Sequence, residues 1–392
     1  MIPYGRQFID EDDIAAVVSV LRSDFLTQGP AIAAFEEDFA RKVGAQQAIA
    51  VNSGTAALHA CMAALGIGPG DEVIVPPITF TASANCALFV GATPIFADVT
   101  SGGHIDPAQV KLKLSPRTKA LIAVDYAGLP CEYDALLPIC REAGIPLVCD
   151  ACHALGATWN GKPAGSIGVL NCFSFHPVKH IATGEGGMVT TDDPVLAQAI
   201  RDFRTHGITR EASRFQGLGA AVGLAERGPW YYEMQSLGYN YRMSDINAAL
   251  GSSQLRKLDA FVARRREIAA QYCEGLAGLP HLTLPPSDLH HASRMPYPAT
   301  HAFHLFPMQI DFEALGKTRS CVMQELRAAG VGTQVHYIPV HLQPYYRARR
   351  DVPLQACPQA ELFYRRALSL PMYPSMSEAD VRCVVDAVRA IT

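Results

Sequence analysis

The chain has 392 residues, of which 49% are hydrophobic and 18% are charged, and its formal net charge is −4. This composition is typical of a compact globular protein and excludes a largely disordered chain, and the length predicts two domains. The charge balance provides no basic field for nucleic acid, and no apolar stretch reaches the ~18 residues that are needed to cross a membrane.

Short apolar runs alternate with helical patterns over the first two-thirds of the chain. The runs are nearly all apolar, without polar alternation, which predicts strands that are covered on both faces. The predicted strands are Ala48–Val51, Glu72–Val75, Thr93–Phe96, Ala120–Val124 and Pro146–Cys149. Helical segments such as 56–65 and 134–142 separate them, so the pattern predicts an α/β fold with a mainly parallel sheet.

The organisation changes from Ser244 onward. Ser244 and Asp245 form an N-cap signal before a long helical pattern, and the run Arg264–Arg266 within it is interpreted as a solvated helix face. The later elements that we expect are strands around 303–306 and 332–335, helices over 312–329 and from 378, and a proline-rich loop at 284–287. The prediction is a large domain over 13–250 and a smaller α+β domain over 251–392.

The first residues, 1–6, lack a basic start followed by an apolar run, so we expect no secretory signal and a cytoplasmic protein. The eleven cysteines are scattered, which favours reduced and mostly buried thiols. Residues 149–153 match the C-x-x-C-H pattern of haem attachment, but that attachment needs export, and the segment follows a run typical of a buried strand. A redox pair is one alternative, and two structural thiols flanking a functional Asp150 is the interpretation that we favour.

Asn52–Thr55 lies between a predicted strand and a predicted helix. A helix N-terminus suits a phosphate, Gly54 allows close approach of the backbone, and Ser53 and Thr55 add hydroxyl groups. A plain N-cap is the alternative interpretation. The chain contains neither a Walker loop nor a Rossmann glycine fingerprint, which argues against those two classes of nucleotide-binding enzyme.

Asp150 directly follows a predicted strand, at the sheet edge where open α/β sheets bind ligands. It either caps the next helix or keeps a pyridine nitrogen protonated. Lys179, one of eight lysines, lies between an aromatic strand and a glycine-rich loop. A partly desolvated lysine there forms a Schiff base readily, although a solvated loop lysine is the alternative for any single position.

A phosphate-binding turn, a strand-end aspartate and such a lysine, in that order, are the parts that pyridoxal 5′-phosphate (PLP) needs. Phe80 is then a candidate ring to stack on the pyridine, with core packing as its alternative role.

These residues and their surroundings resemble the DegT/DnrJ/EryC1/StrS family of sugar aminotransferases. The resemblance extends over nearly the whole chain through segments 26–30, 52–58, 150–154, 174–179, 184–187, 238–243 and 336–341. It implies the type I PLP fold of aspartate aminotransferase-like enzymes, with a seven-stranded-type sheet in the large domain and no metal. It also implies a homodimer with its active site at the subunit interface.

The resemblance further implies a role for each matching residue. Lys179 corresponds to the lysine that binds the cofactor aldehyde, and Asp150 to the partner of the ring nitrogen, so these two are the predicted catalytic residues. Besides Phe80, the predicted cofactor contacts are Ser53, Gly54, Thr55, His153, Ser174 and, from the other subunit, Asn240. The predicted sugar-nucleotide contacts are Tyr4 of the N-terminal segment 1–12, Leu26, Thr27, Thr55, Ser174, Asn240, Arg242, His336, Tyr337 and Pro339.

Within the family, segments 2–7, 23–29, 124–128, 174–179 and 335–346 resemble the branch of UDP-4-amino-4,6-dideoxy-N-acetyl-β-L-altrosamine transaminases of pseudaminic acid synthesis. The branch implies ping-pong transfer of an amino group from L-glutamate to C4 of a UDP-linked 4-keto-6-deoxy sugar.

Three alternatives stay open at this point. One is an aminotransferase for another UDP- or dTDP-4-keto sugar. A PLP-dependent sugar dehydratase is disfavoured because such family members carry histidine where Lys179 stands. A PLP-binding regulator without turnover is disfavoured because the chain has neither the length nor the basic charge for a DNA-binding module.

Overall fold

The computed structural model describes residues 1–217, 228–287, 297–349, 352 and 356–392. Its α-helices are α1 (Glu11–Leu21), α2 (Pro30–Val43), α3 (Gly54–Ala64), α4 (Ala82–Phe89), α5 (Pro107–Lys113), α6 (Tyr133–Ala143), α7 (Pro194–Phe203), α8 (Asp245–Leu276), α9 (Arg319–Ala328), α10 (Pro344–Ala348), α11 (Pro358–Arg366) and α12 (Glu378–Ile391). Within these described ranges, no helix is both long enough and apolar enough to cross a membrane.

The strands come in chain order between these helices. They are β1 (Gln47–Val51), β2 (Glu72–Val75), β3 (Thr93–Phe96), β4 (Thr118–Val124), β5 (Leu147–Asp150), β6 (Thr158–Trp159), β7 (Lys162–Pro163), β8 (Leu170–Ser174), β9 (Gly187–Thr191), β10 (Ile208–Thr209), β11 (Glu233–Met234), β12 (Leu282–Thr283), β13 (Ala299–Thr300), β14 (Phe306–Ile310) and β15 (Ala367–Leu370). The predicted strands of the first two-thirds all form, with ends that differ by at most two residues.

A seven-stranded sheet in the order β1-β9-β8-β5-β4-β2-β3 forms the centre of the large domain. Strand β9 runs antiparallel to β1 and β8, and the other neighbouring pairs are parallel. Helices cover both faces. Ile49 and Val51 pack in one hydrophobic cluster with α3, whereas Ala48 and Ala50 belong to a second cluster with α2 and α8. The mainly parallel sheet with two covered faces is therefore confirmed.

Helix α8 connects the sheet to the C-terminal part of the chain. Ser244 caps it, since its Oγ accepts a hydrogen bond from the N–H of Asn247. The helix is 32 residues long, and it contributes Leu255 and Leu258 to the large-domain core and Ile268 and Tyr272 to a second core. That second core also contains residues of the antiparallel sheet β12-β14-β15 and of α9 and α12. The domain boundary expected at 250/251 falls inside α8 and stays a prediction.

Three expected elements of the C-terminal part differ in the structure. No strand spans 303–306, because Phe303 has a left-handed φ of 46° and the N–H of Leu305 donates to the carbonyl of Ala127, so β14 begins at Phe306. The helix expected over 312–329 begins only at Arg319, since Gly316 is left-handed and Thr318 supplies the N-cap. Segment 332–335 forms a single bridge, from Gln334 to Ser369, and no strand.

The expectation of a solvated face at Arg264–Arg266 is wrong for Arg265. This side chain is 1% exposed, and its Nη1 donates to the carbonyls of Phe303 (3.1 Å), His304 (3.2 Å) and Met372 (2.8 Å). Burial lowers the pKa of Arg265 to about 9. The buried position of Arg265 could not be predicted, because the three arginines differ only in where α8 meets the second core. The cysteines behave as predicted, since all are free and eight of the eleven are buried.

Candidate active site

A cavity of about 760 Å³ lies at the carboxyl ends of the parallel strands, where open α/β sheets bind ligands. Part of its lining lies at or just after the ends of β1, β2, β5 and β8, and part comes from the C-terminal half of the chain. The former group includes Asn52–Thr55, Thr79, Phe80, Asp150 and Ser174, and the latter includes His304, Leu305, His336 and Tyr337.

The N-terminus of α3 forms one part of this lining. Ser53 is the N-cap, and its Oγ accepts a hydrogen bond of 3.1 Å from the N–H of Ala56. The other N–H groups of the first turn have no partner within the helix, so they suit an anion. A Cβ at Gly54 would lie 2.9 Å from the Cβ of Ser174, so a glycine is needed to bring α3 this close to β8. With the hydroxyls of Ser53, Thr55 and Ser174 in the same cavity, the arrangement suits a phosphate.

Asp150 ends β5 and is 5% exposed. Its Oδ2 accepts a hydrogen bond of 2.6 Å from Ser83 Oγ, which lies 2.7 Å from Thr79 Oγ1. Its Oδ1 accepts a longer bond of 3.3 Å from the N–H of Cys152. The carboxylate is thus held in the cavity lining, and a carboxylate is the group that pairs with a protonated pyridine nitrogen.

Lys179 follows β8 and is half-buried in the same lining. Its backbone N–H donates to the carbonyl of His176 at 2.8 Å, which closes a turn after the strand. Desolvation lowers the pKa of the Lys179 ammonium, and Cys152 and Asp150 offset part of this effect. A lowered pKa increases the fraction of neutral amine, which is the form that condenses with an aldehyde.

His153 and Tyr337 form a hydrogen-bonded pair beside Lys179. Burial, with a contribution from Lys179, lowers the pKa of His153 well below its ordinary value, so the ring is neutral at pH 7. Its Nδ1 accepts from the N–H of Ala127 at 3.3 Å, and its Nε2 lies 3.2 Å from the Tyr337 hydroxyl. Since a backbone N–H can only donate, the ring proton belongs on Nε2 and is donated to Tyr337. The Tyr337 proton is then available to an acceptor in the cavity.

His336 contributes a second neutral imidazole. Its Nδ1 lies 2.9 Å from Ser369 Oγ, and burial lowers its pKa to about 4. The hydroxyl of Tyr126 donates to the His336 carbonyl at 2.6 Å, and the ring of Tyr4 lies 5.7 Å from that of His336. These contacts hold the backbone and the ring of His336 at the cavity wall.

Most of the predicted site residues come together here. Those that line the cavity are Tyr4, Ser53, Gly54, Thr55, Phe80, Asp150, His153, Ser174, Lys179, His336 and Tyr337. Those that do not line it are Leu26, Thr27 and Asn240, which are exposed, Arg242, which is half-buried, and Pro339, which is buried. The individual roles predicted for these residues remain predictions.

The cavity also contains polar residues that the sequence did not indicate. Thr79 and Ser83 contact Asp150 directly or through one another, and His304 lies with its ring centroid 4.3 Å from that of His153. A serine in the alanine-rich α4 carries no local signal. Its position 67 residues before Asp150 becomes meaningful only when β5 brings the carboxylate beside it.

These residues fit PLP. The α3 N-terminus suits the phosphate, the Asp150 carboxylate suits the ring nitrogen, and the Lys179 amine suits the aldehyde, all within one cavity. The sequence model of the DegT/DnrJ/EryC1/StrS aminotransferase family matches residues 7–389. The chain belongs to this family. It is accordingly a PLP-dependent sugar aminotransferase with the aspartate aminotransferase-like fold, which confirms the predicted family, enzyme class, fold class and cofactor.

Similar proteins support this assignment over the full length. The spore coat polysaccharide biosynthesis protein SpsC of Bacillus subtilis is 42% identical over 393 residues, which cover 100% of this chain and 97% of SpsC. Helicobacter pylori PseC, an aminotransferase involved in the biosynthesis of pseudoaminic acid, superposes with a TM-score of 0.88 at 30% identity and 100% and 98% coverage of the two chains. Spr1654 of Streptococcus pneumoniae, in its PMP form, gives a TM-score of 0.89 at 30% identity, with 100% and 99% coverage.

Proposed function

We propose that this chain transfers the amino group of L-glutamate to C4 of a UDP-linked 4-keto-6-deoxy sugar. The proposed substrate is UDP-2-acetamido-2,6-dideoxy-β-L-arabino-hex-4-ulose, and the product is UDP-4-amino-4,6-dideoxy-N-acetyl-β-L-altrosamine. One observation carries the proposal, namely that Lys179, Asp150 and the α3 N-terminus line a single cavity. The likeness to PseC and the branch-like segments 124–128 and 335–346 support the choice of sugar.

Lys179 and Asp150 are the proposed catalytic residues. Bound PLP supplies an electron sink that stabilises negative charge on the carbon losing its proton. Lys179 would hold the aldehyde of the bound cofactor, and its amine, when free, would be the group that accepts and returns the proton at the substrate carbon. Its lowered pKa suits that task, because the amine must accept a proton before it returns it. Asp150 keeps the ring nitrogen protonated.

The sugar nucleotide and glutamate use the same cavity in turn. Ser53, Thr55 and Ser174 hold the cofactor phosphate, and His153 packs beside the ring. Tyr4, His336 and Tyr337 contact the sugar, with the free Tyr337 proton directed to an acceptor oxygen. Phe80, which is 59% exposed, covers the open side.

We further propose a cytoplasmic homodimer with shared active sites. Asn240, Arg242, Leu26 and Thr27 lie outside the cavity of their own chain, as expected for residues that complete the site of a partner. A mixture of Lys179→Ala and Asn240→Ala enzymes tests this. Each variant alone should be inactive, whereas random heterodimers should restore about a quarter of wild-type activity, because one site in each heterodimer is intact. Absence of any restored activity would refute the shared site.

The substrate is tested with a panel of UDP- and dTDP-linked 4-keto sugars and ¹⁵N-labelled L-glutamate. Mass spectrometry and NMR should show ¹⁵N at C4 of the UDP sugar, with the altro configuration. The Lys179→Ala enzyme is the control for non-enzymatic amination. Turnover of dTDP sugars alone would favour another aminotransferase branch, and absence of a C4-amino product from every sugar would overturn the proposal. A sugar dehydratase is disfavoured by the lysine at position 179.

A further inference from the structure

Two hydroxyl groups lead to the Asp150 carboxylate through the interior of the protein. Thr79 is 2% exposed and Ser83 is 1% exposed, and both side chains line the cavity. Thr79 Oγ1 lies 2.7 Å from Ser83 Oγ, which lies 2.6 Å from Asp150 Oδ2. Both contacts are within the ordinary O–H···O range, so the three side chains form a continuous hydrogen-bonded row.

The direction of the protons in this row follows from chemistry. An ionised carboxylate only accepts, so Ser83 donates its single proton to Asp150. Ser83 Oγ can then only accept from Thr79, whose proton points the same way. A donor that itself accepts a hydrogen bond is polarised, and the effect is larger in a buried site of low dielectric. Both hydroxyls therefore stabilise the negative charge on Asp150.

The row also distinguishes the two oxygens of the carboxylate. Oδ2 has the short bond from Ser83, whereas Oδ1 has only the 3.3 Å bond from Cys152 N–H. Oδ1 is consequently the oxygen with more capacity left for a cationic donor in the cavity. Ser83 thus fixes the rotation of the carboxylate.

We propose that Ser83 and Thr79 are positioning residues that act through Asp150, fixing the rotation of the carboxylate by donated hydrogen bonds and leaving Oδ1 as the acceptor for the ring nitrogen of the cofactor. This rests on the proposed role of Asp150. Without the donated hydrogen bonds, the carboxylate takes a larger share of the ring proton, and the ring becomes a weaker electron sink. The cost falls on the proton-transfer step and on cofactor retention, and not on substrate recognition.

The test compares Ser83→Ala, Thr79→Val and the double variant, with Thr79→Ser as the conservative variant. Valine matches threonine in shape but lacks the hydroxyl, and serine keeps it. Thr81→Val is the matched control, because Thr81 lies at the start of α4 and makes no capping hydrogen bond. Thermal unfolding of each apo-protein establishes that the variants are folded.

Three readouts are measured on these variants. They are the dissociation constant of PLP, the pH midpoint of the visible absorbance of the bound cofactor, and the glutamate half-reaction followed by loss of that absorbance. Ser83→Ala should weaken PLP binding and slow the half-reaction roughly tenfold, since a hydrogen bond to a charged group is lost. The apparent KM for glutamate should change less than about twofold. The pH midpoint should rise, because a less positive ring withdraws less charge from the lysine nitrogen.

The coupling between the variants separates this row from ordinary packing. Thr79→Val should have a smaller effect in the same direction, Thr79→Ser and Thr81→Val should resemble the wild type, and the double variant should be no worse than Ser83→Ala. Additive losses, or a Ser83→Ala enzyme with unchanged midpoint and half-reaction, would overturn the inference. If Ser83→Ala does not fold, the comparison of Thr79→Val with Thr79→Ser tests the proposal by itself. A wild-type enzyme that fails to react with glutamate counts against the proposed function only, since the pH midpoint and PLP affinity need no donor.

Discussion

Replacement of Gly187 by alanine should displace the proposed phosphate-binding end of the cavity. Gly187 begins β9 and pairs with Val51 of β1 on one side and with Ser174 of β8 on the other. A Cβ at this position would lie 2.4 Å from the carbonyl oxygen of Ser53, 2.5 Å from its carbonyl carbon and 2.8 Å from the nitrogen of Gly54. All three neighbours are backbone atoms, so no side chain can rotate away.

The size of the effect follows from these distances. Ordinary contact begins at 3.4 Å, so the closest atom must move by about 1 Å. Strand β9 is fixed between two neighbours, and the Ser53 carbonyl accepts the first hydrogen bond of α3 from the N–H of Ala57. The α3 N-terminus must therefore shift, at a cost of about 2 kcal/mol. Because the same N–H groups are the proposed ligands of the phosphate, PLP affinity should fall at least about tenfold.

The assay combines PLP titration of the apo-protein by absorbance with chemical unfolding in the absence of PLP. Gly68→Ala is the matched control, since the nearest heavy atom to its Cβ is the Val90 carbonyl oxygen at 3.9 Å. That variant should change the unfolding free energy by less than about 0.5 kcal/mol. A Gly187→Ala protein with normal stability and PLP affinity would refute the packing argument, and one that loses stability alone would refute the phosphate assignment.

Three further predictions concern charged groups. Lys179→Ala should abolish both the visible absorbance of the lysine-bound cofactor and multiple turnover, and retained turnover would contradict its role. Arg265→Met should lower the unfolding free energy by about 3 kcal/mol, because three buried carbonyls lose their donor, whereas Arg264→Ala in its partly exposed ion pairs should cost about 1 kcal/mol or less. Burial raises the pKa of Asp125 from 3.8 to about 7, although the Tyr133 hydroxyl partly offsets it. Its contribution to stability is therefore lost as the pH rises from about 4 to about 7, by up to about 4 kcal/mol. In the Asp125→Asn variant, the free energy of unfolding measured in urea should no longer fall as the pH rises across that range. The same fall in the variant as in the wild type would contradict the raised pKa of Asp125.

The large-domain sheet could be predicted from the sequence because its strands are buried on both faces. A continuous apolar run such as 120–124 has few other stable locations in an α/β protein. In the C-terminal part the same reasoning fails at 303–305, where the residues are equally buried but the N–H of Phe303 donates to His301 Nδ1 and the N–H of Leu305 donates to the carbonyl of Ala127, instead of to a strand. An apolar run in this part of the chain therefore indicates that the residues are buried, but not that they form a strand.

The residues of the candidate site could be predicted from the sequence where the residue type itself carries the chemistry. Lysine and aspartate at strand ends, as at positions 179 and 150, are unusual enough to attract attention. Ser83 and Ser369 could not be predicted as site residues, since a serine hydroxyl acquires its role from a partner that is distant in sequence. Arg265 was misjudged for the related reason that neither its neighbours nor its helical spacing distinguish it from Arg264.

Helix α8 makes the two parts of the chain depend on each other for stability. The first half of α8 completes one apolar core and its second half completes another. Proteolysis near residue 250 would therefore leave each fragment with an exposed apolar surface. Such fragments should aggregate unless they are co-expressed, and heat should melt the intact chain as one body instead of in two steps.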